Sequence, residues 1–421
     1  MTLNVPRYNG WVPSRAVYDA FINDLMERAT TPYSAGAEHV PSVKRFQEAI
    51  QANPTMVNLF NNVFLQAPQS QSQVRDFEHL LQLFDLIVVG PPRFMVVSEH
   101  GVTEPIGVPM YLVFDLLSNS SAAYDLFRME AFNEALKRLL SSWGDYLRTS
   151  DSGSTLTDAP DGWFSQGAIQ ALEEGRGKFN QTYVVLNDTA INRGYTSWDQ
   201  FFTRQIRSDA RPIVPAPKDK TVVYNACEST VERYKFNVQA HDKFWLKGTM
   251  SYSLYDIFNG DNETAQHFVG GTVYQAFLSP QDYHRWHSPV TGKVVAARIV
   301  DGTYYAVLPD EGEGGDPRGA LIRSQPWLTV AATRAIITIQ ADSEKIGLVA
   351  FIGVGMAEVS TCQLLVQPGS RVEPGQEIGM FHFGGSSHAL IFGPHVKVTF
   401  TDEVEVGKHI HVNRIIASVD Q

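Results

Sequence analysis

Along the first third of the chain, apolar residues recur at the three-to-four spacing of an amphipathic helix. In "MEAFNEALKRLLSSWGDYL" (129–147), Phe132, Leu136, Leu139, Leu140, Trp143 and Leu147 fall on one helical face. "SRAVYDAFINDLMERA" and "SVKRFQEAIQANPTMVNLFNNVF" carry a similar pattern. The polar, turn-rich run "TSDSGSTLTDAPDG" (149–162) interrupts it and marks a domain boundary. A short helix is predicted at "TSWDQFFTRQI", with Thr196 as its cap and Asp199 three residues on, as in a capping box. From about residue 211 the period falls to two. "KTVVYNA", "TVYQAFL", "GKVVAARIV", "TYYAVL", "RAIITIQA", "KIGLVAFIGV", "CQLLVQ" and "HVKVTF" are short, β-branched or aromatic, and bounded by turn residues. "SYSLYDIFNG" is the one helical candidate among them. The pattern predicts an α+β protein. A helical N-terminal domain (1–150) and a stretch of linker and short helices (151–210) precede a mainly antiparallel β domain (211–421) on which the helical layer packs.

One stretch resists this reading. "GMFHFGGSSHALIFG" (379–393) has strand material at both ends and Gly-Gly-Ser-Ser in the middle. Glycine inside a strand loses entropy and packs nothing, so the run needs a reason.

Composition narrows the function. The chain has 421 residues, 43% of them hydrophobic, enough for a large core. A net charge of −11 disfavours non-specific binding to nucleic acid or to an anionic membrane. The opening "MTLNVPRYNGWVPSR" has no apolar core behind a basic start, so no signal peptide is expected. No run approaches the roughly 18 apolar residues of a membrane span. The nearest, "LFDLIVVGPPRFMVV", is cut by Gly90, Pro91, Pro92 and Arg93. With two cysteines the chain is no disulfide scaffold, and a cytoplasmic location is expected.

Three clusters carry candidate chemistry. In "SPQDYHRWHSPVTGKV", His284 and His287 stand three apart. A polar turn, a zinc site and a general base all fit such a pair. Zinc lacks a full ligand set, although His409 and His411 share a strand face. The Gly-Gly-Ser-Ser run fits a bulge or hairpin. It is neither a hydrolase elbow, since Ser386 has no glycine two residues on, nor a phosphate-binding loop. "GEGGDPRG" also fails the dinucleotide fingerprint. In "LPDEGEGGDP", Asp310, Glu311, Glu313 and Asp316 offer oxygen ligands to calcium, or form a solvated acidic loop.

Taken in order, several stretches resemble the phosphatidylserine decarboxylase family of pyruvoyl-dependent enzymes. They are "WDQFFTRQIRSDARPI", "LKGTMSYSLYDIF", "DYHRWHSPVTGKV" and "GQEIGMFHFGGSS". The last is similar to the family's self-processing site. The front segment "GWVPSRAVYDAFINDL", with "IGVGMAEVSTC", resembles a fungal-type branch of amino-acid decarboxylases that includes L-tryptophan decarboxylases.

The resemblance implies that the chain cuts itself between Gly385 and Ser386. The Ser386 hydroxyl attacks the preceding carbonyl, and elimination and hydrolysis leave a covalent pyruvoyl group, with no pyridoxal phosphate needed. Glycine lets the backbone bend for this attack, and serine needs a base. By resemblance that base is His287, which later protonates the product carbon. The family's orienting Asp is replaced here: "VVYNACESTV" puts Cys227 or Glu228 at its position, and Glu228 is the residue able to hold an imidazole. His284 and Phe381 are expected at the substrate site, with Trp286, Tyr304 and Tyr305 as further ring-binding candidates. The pyruvoyl group would form a Schiff base with a free aromatic amino acid, tryptophan first, and act as electron sink. The partners expected are this small molecule and no nucleic acid or membrane; a homo-oligomer is compatible. Two alternatives stand: a phosphatidylserine decarboxylase, and an inactive relative that only binds. The turns of "VQPGSRVEPGQEIG" resemble carrier modules, without their lysine.

Overall fold

The computed structural model describes residues 11–29, 38–67, 72–97, 102–216, 218, 221–242, 251–359, 361–383 and 386–420. These form two compact units that do not follow chain order. One comprises Met1–Leu172, Val185–Phe201 and Thr303–Ser324. The other comprises Glu173–Val184, Phe202–Gly302 and Gln325–Gln421.

The first unit is mostly helical. Its longest helix, Glu130–Leu147, buries all six residues of the predicted stripe. Asn53 caps the helix Pro54–Gln66 by accepting from the amides of Thr55 and Met56, and Pro54 stands in its first turn. This divides one apolar pattern into two helices. Phe127 stacks on Phe132 at 5.0 Å, Phe60 meets Phe132 at 5.6 Å, and Phe84 meets Phe114 at 5.2 Å. The helical expectation for this region needs one correction. "LFDLIVVGPPRFMVV" ends the helix Phe77–Ile87 and then enters strand β1 (Arg93–Val97), which pairs antiparallel with β2 (Val102–Ile106). Two prolines cannot donate to a helix and force the change.

Two smaller expectations also change. "TYYAVL" is not a strand: it belongs to the first unit, where Tyr305 packs on Phe114 at 4.9 Å. The helix Trp198–Phe202 is capped by Ser197, whose Oγ accepts from the Gln200 amide at 3.1 Å. Thr196 turns instead to the Gln200 side chain.

The second unit is β-rich. Its strands are β3 (Thr221–Tyr224), β4 (Ser229–Phe236), β5 (Thr272–Leu278), β6 (Arg285–His287), β7 (Gly292–Val300), β8 (Arg334–Ala341) and β9 (Leu348–Gly355). They continue with β10 (Thr361–Leu364), β11 (Arg371–Val372), β12 (Glu377–His382), β13 (Ser386–Phe392), β14 (Lys397–Phe400), β15 (His409–Ile410) and β16 (Ile415–Asp420). The main sheet has the order β11-β7-β8-β9-β13-β5-β4-β15, and two three-stranded sheets have the orders β10-β12-β6 and β14-β16-β3. All recorded pairings between these strands are antiparallel. β13 is an inner strand between β9 and β5 and is buried along its whole length, which suits its Ala-Leu-Ile-Phe end. Among the described residues no helix is long and apolar enough to cross a membrane.

Candidate active site

The Gly-Gly-Ser-Ser run is where the chain leaves one sheet and enters another. β12 ends at His382, and β13 begins at Ser386. Between them Phe383 adopts a φ of 63°, a conformation that L side chains rarely take. Gly384 and Gly385 lie outside the described residues. Glycine earlier in the motif has a packing reason. A Cβ on Gly379 would lie 2.3 Å from the Trp286 ring, so the ring occupies the space a side chain would need.

Ser386 stands opposite Leu278 of β5 and Gly355 of β9. Directly opposed residues share a face, so Ser386, His388 and Leu390 look the same way as Leu278, Ala276 and Tyr274. That face belongs to the unit's hydrophobic core, with Trp286, Phe351 and Cys227. The Ser386 hydroxyl is fully buried there and has no hydrogen-bond partner. Buried polar atoms are nearly always paired, because an unpaired one costs about 1–3 kcal/mol. Three more buried residues of this region carry unpartnered polar atoms: His284 at both ring nitrogens, Trp286 at Nε1 and His388 at Nδ1.

His284 and His287 are placed by β6 and the turn before it. The His284 carbonyl accepts from the Phe381 amide at 2.9 Å, and its ring stacks on Phe202 at 4.0 Å. Burial pushes the His284 pKa down to about 3, so the ring is neutral at physiological pH. His287 pairs with Glu377 at the start of β12. Asn413 Nδ2 donates to the Arg211 carbonyl at 2.9 Å, which turns Oδ1 toward His287 Nδ1 at 3.0 Å. Nδ1 therefore carries the proton, and Nε2 accepts from the Tyr283 hydroxyl at 2.9 Å. Burial lowers the His287 pKa, against the opposing pull of Asn413 and of the Glu377 and Glu228 charges.

Glu228 does not orient His287 by a hydrogen bond; Asn413 and Tyr283 occupy both ring nitrogens. The Glu228 carboxylate instead accepts from Arg211 at 2.7 and 3.2 Å and from the Val412 amide at 2.9 Å. Burial alone would raise its pKa, but Arg211 overrides this and holds it below the usual carboxylate range. Glu228 also brings an oxygen within 4.8 Å of ligand atoms on His409 and His411. Arg211 and the Gly175 carbonyl, which His411 Nε2 contacts at 2.8 Å, already use these groups. Cys227 is fully buried, and burial pushes its thiol pKa well up. Phe381 stands opposite Cys362 and meets Trp286 edge-on at 4.6 Å, so it packs in the core. Tyr283 and Asn413 are new here. Tyr283 lies inside the histidine motif, whereas Asn413 comes from the loop before β16 and has no local signal.

The structure gives calcium no support. In the first unit Asp310 is bound by Arg323 through two contacts of 2.6 Å, and Asp316 by Arg318 at 2.6 Å. Arginine, not a metal, neutralises these two carboxylates.

The inner strand β13 thus opens on a buried serine that follows a glycine pair in the sequence. The family model for phosphatidylserine decarboxylase matches residues 198–418, and a second phosphatidylserine decarboxylase model matches residues 40–172. The chain belongs to the phosphatidylserine decarboxylase family, whose members are pyruvoyl-dependent carboxy-lyases. It is similar to "Decarboxylase iboD" of Amanita muscaria, with 53% identity over 349 residues, covering 80% of this chain and 99% of that one. It is 31% identical over 431 residues to the L-tryptophan decarboxylase of Psilocybe cubensis, covering 98% and 94% of the two chains. Against phosphatidylserine decarboxylase proenzyme 3 of Schizosaccharomyces pombe the identity is 32% over 203 residues, but only 48% of this chain and 19% of that one are covered. The residues here fit a pyruvoyl group: the serine that would become it is present, buried and unpartnered.

Proposed function

We propose that this chain is a self-processing, pyruvoyl-dependent decarboxylase of a free aromatic L-amino acid, with tryptophan the first candidate, and that it works in the cytoplasm. The observation that carries the reading is the buried, unpartnered Ser386 hydroxyl at the head of β13, directly after the glycine pair. Near full-length similarity to an L-tryptophan decarboxylase favours an amino acid over a lipid, because the lipid-acting relative aligns over only half of this chain.

Cleavage between Gly385 and Ser386 would convert Ser386 into the pyruvoyl group, which supplies an electron sink for the carbanion left by CO2. The chain's other residues prepare the site. His284, neutral and stacked on Phe202, offers unused ring nitrogens to a polar group of the substrate. His287 is held in one tautomer by Asn413 and exchanges a proton through Tyr283. Glu228 acts at a distance: fixed by Arg211, it adds a buried negative charge that favours a protonated His287. Phe381 backs Trp286 and keeps the region dry.

The test is the mass of the denatured protein, followed by CO2 release from tryptophan, phenylalanine, tyrosine and phosphatidylserine vesicles. The reading expects fragments 1–385 and 386–421, a ketone at the head of the smaller, and turnover of free aromatic amino acids. Turnover of vesicles alone would transfer the substrate to the lipid. An uncut chain without CO2 release would end the enzymatic reading.

A further inference from the structure

The two family matches leave residues 173–197 between them. Part of that interval, Glu173–Val184, belongs to the β-rich unit. Arg176 stands in this part, and only 4% of its side chain is exposed. Its Nε donates to Asp282 Oδ1 at 2.6 Å, and its Nη2 donates to Ser279 Oγ at 3.2 Å. Ser279 and Asp282 are the two ends of one turn. The Asp282 amide donates to the Ser279 carbonyl at 3.0 Å, and Asp282 Oδ2 accepts from the Ser279 amide at 2.7 Å. Arg176 therefore grips both ends at once, with the planar fork of donors that lysine lacks. Arg204 holds the backbone of the same turn. Its Nη2 donates to the Gln281 carbonyl at 2.7 Å and to the Asp282 carbonyl at 3.3 Å, and its guanidinium lies 4.3 Å over the Tyr183 ring. The chain leaves this turn directly into Tyr283 and His284.

The His284 ring is fully buried, and neither of its nitrogens is hydrogen-bonded. No polar contact of its own aims it. Its direction comes from the backbone of the turn and from the Phe202 ring on which it stacks. We propose that Arg176 is a positioning residue of the active site: through Asp282 and Ser279 it fixes the turn that aims the His284 ring at the substrate. This rests on the decarboxylase reading above, in which His284 faces a polar group of the substrate. The same arginine also acts through charge. The groups whose charges bear on His284 are Asp282 on its own turn, Arg204 and Arg176. His409 of β15 meets Asp282 Oδ1 at 3.2 Å, on the same oxygen that Arg176 uses. Burial alone would raise the Asp282 pKa, but Arg176 and His409 override it and keep the carboxylate ionised. Asp282 favours an imidazolium at His284, whereas Arg176 and Arg204 oppose it and add to the effect of burial. Removing Arg176 leaves the Asp282 charge less balanced, so the proton affinity of His284 must rise.

The test compares wild type, Arg176→Met and Arg176→Lys as full-length chains, with melting temperature as the folding control. CO2 release from tryptophan gives kcat/KM per cut chain, the cut fraction being read from denatured mass. Histidine ring NMR gives the titration of His284, whose signal is assigned by its loss in His284→Gln. In Arg176→Met, kcat/KM should fall at least 10-fold, and His284 should protonate about one pH unit or more above wild type. Adding Asp282→Asn to Arg176→Met should return the titration toward wild type without restoring kcat/KM, because the charge is gone and the turn is still unheld. Arg176→Lys should keep the wild-type titration and recover part of kcat/KM. Wild-type kcat/KM in Arg176→Met would overturn the proposal. So would a loss of activity with an unchanged His284 titration, which marks an arginine that only stabilises the fold. Should Arg176→Met fail to fold, Asp282→Asn decides: a 10-fold loss of kcat/KM in a folded chain supports the proposal, and wild-type kcat/KM refutes it. A wild-type chain that releases no CO2 would refute the decarboxylase reading itself, while the NMR titration still decides whether Arg176 governs His284.

Discussion

At the scale of single residues, this protein keeps polar atoms where packing alone would put carbon. Ser386, His388, His284 and Trp286 each carry an unpartnered buried atom in the second unit. Such atoms destabilise a fold, and sites of chemistry are where that cost persists. Ser386→Ala should leave an uncut, inactive chain that is as stable as wild type or more so, because it deletes an unsatisfied hydroxyl; denatured mass and thermal melting read both effects. Gly379→Ala should destabilise by about 1–3 kcal/mol or more, since the new methyl meets the Trp286 ring and both are fixed in strands. Denaturant unfolding of the Ser386→Ala background measures this without interference from cleavage.

Within elements, buried ion pairs fix the ends of strands around the site. Glu228 precedes β4, and its pair with Arg211 is almost fully shielded, at 0% and 8% side-chain exposure. Removing only one partner strands the other charge, so Arg211→Met should cost about 3–5 kcal/mol, and Glu228→Gln in that background should recover part of it. The Glu228 pKa is depressed in the folded state, so its contribution is present above the ordinary carboxylate range and is lost as the pH falls toward the folded value. Arg211→Met should therefore lose part of the acid-side slope seen in wild type. The first unit shows the opposite sign. Asp115 is fully buried and takes hydrogen bonds from Tyr111 and the Gly319 amide, yet burial raises its pKa to about 6 from 3.8. Stability linked to Asp115 is highest below pH 4 and declines as the pH rises through 6; Asp115→Asn should flatten that decline in melts run from pH 4 to 8.

For the whole molecule, the proposed cut before Ser386 would leave a smaller product woven into the larger. Residues 386–421 hold β13, β14, β15 and β16, and β13 is bonded on both sides by β5 and β9. The two products should co-elute under native conditions and separate only in denaturant. Separation in plain buffer would contradict the inner position of β13. Helix periodicity and the switch to strands beyond residue 211 were readable directly, because each depends on neighbours in the chain. The strand expected at 303–308 failed because tertiary packing assigned that apolar run to the first unit. Glu228 was expected to orient His287 because the motif comparison is linear; Arg211, seventeen positions upstream, claims its carboxylate in space.

The sequence by itself determined the family, and it singled out Ser386 and the two histidines of the Tyr-His-Arg-Trp-His motif as candidates, since motif spacing survives without any knowledge of packing. Tertiary structure decided which groups touch. It placed Asn413 and Tyr283 on His287, stacked His284 on Phe202 and brought His388 Nε2 to Ser229 Oγ. Apart from Tyr283, four positions before His287, those partners lie far apart along the chain. Hydrogen bonds and burial are short-ranged in space, so only the closed fold could assign them.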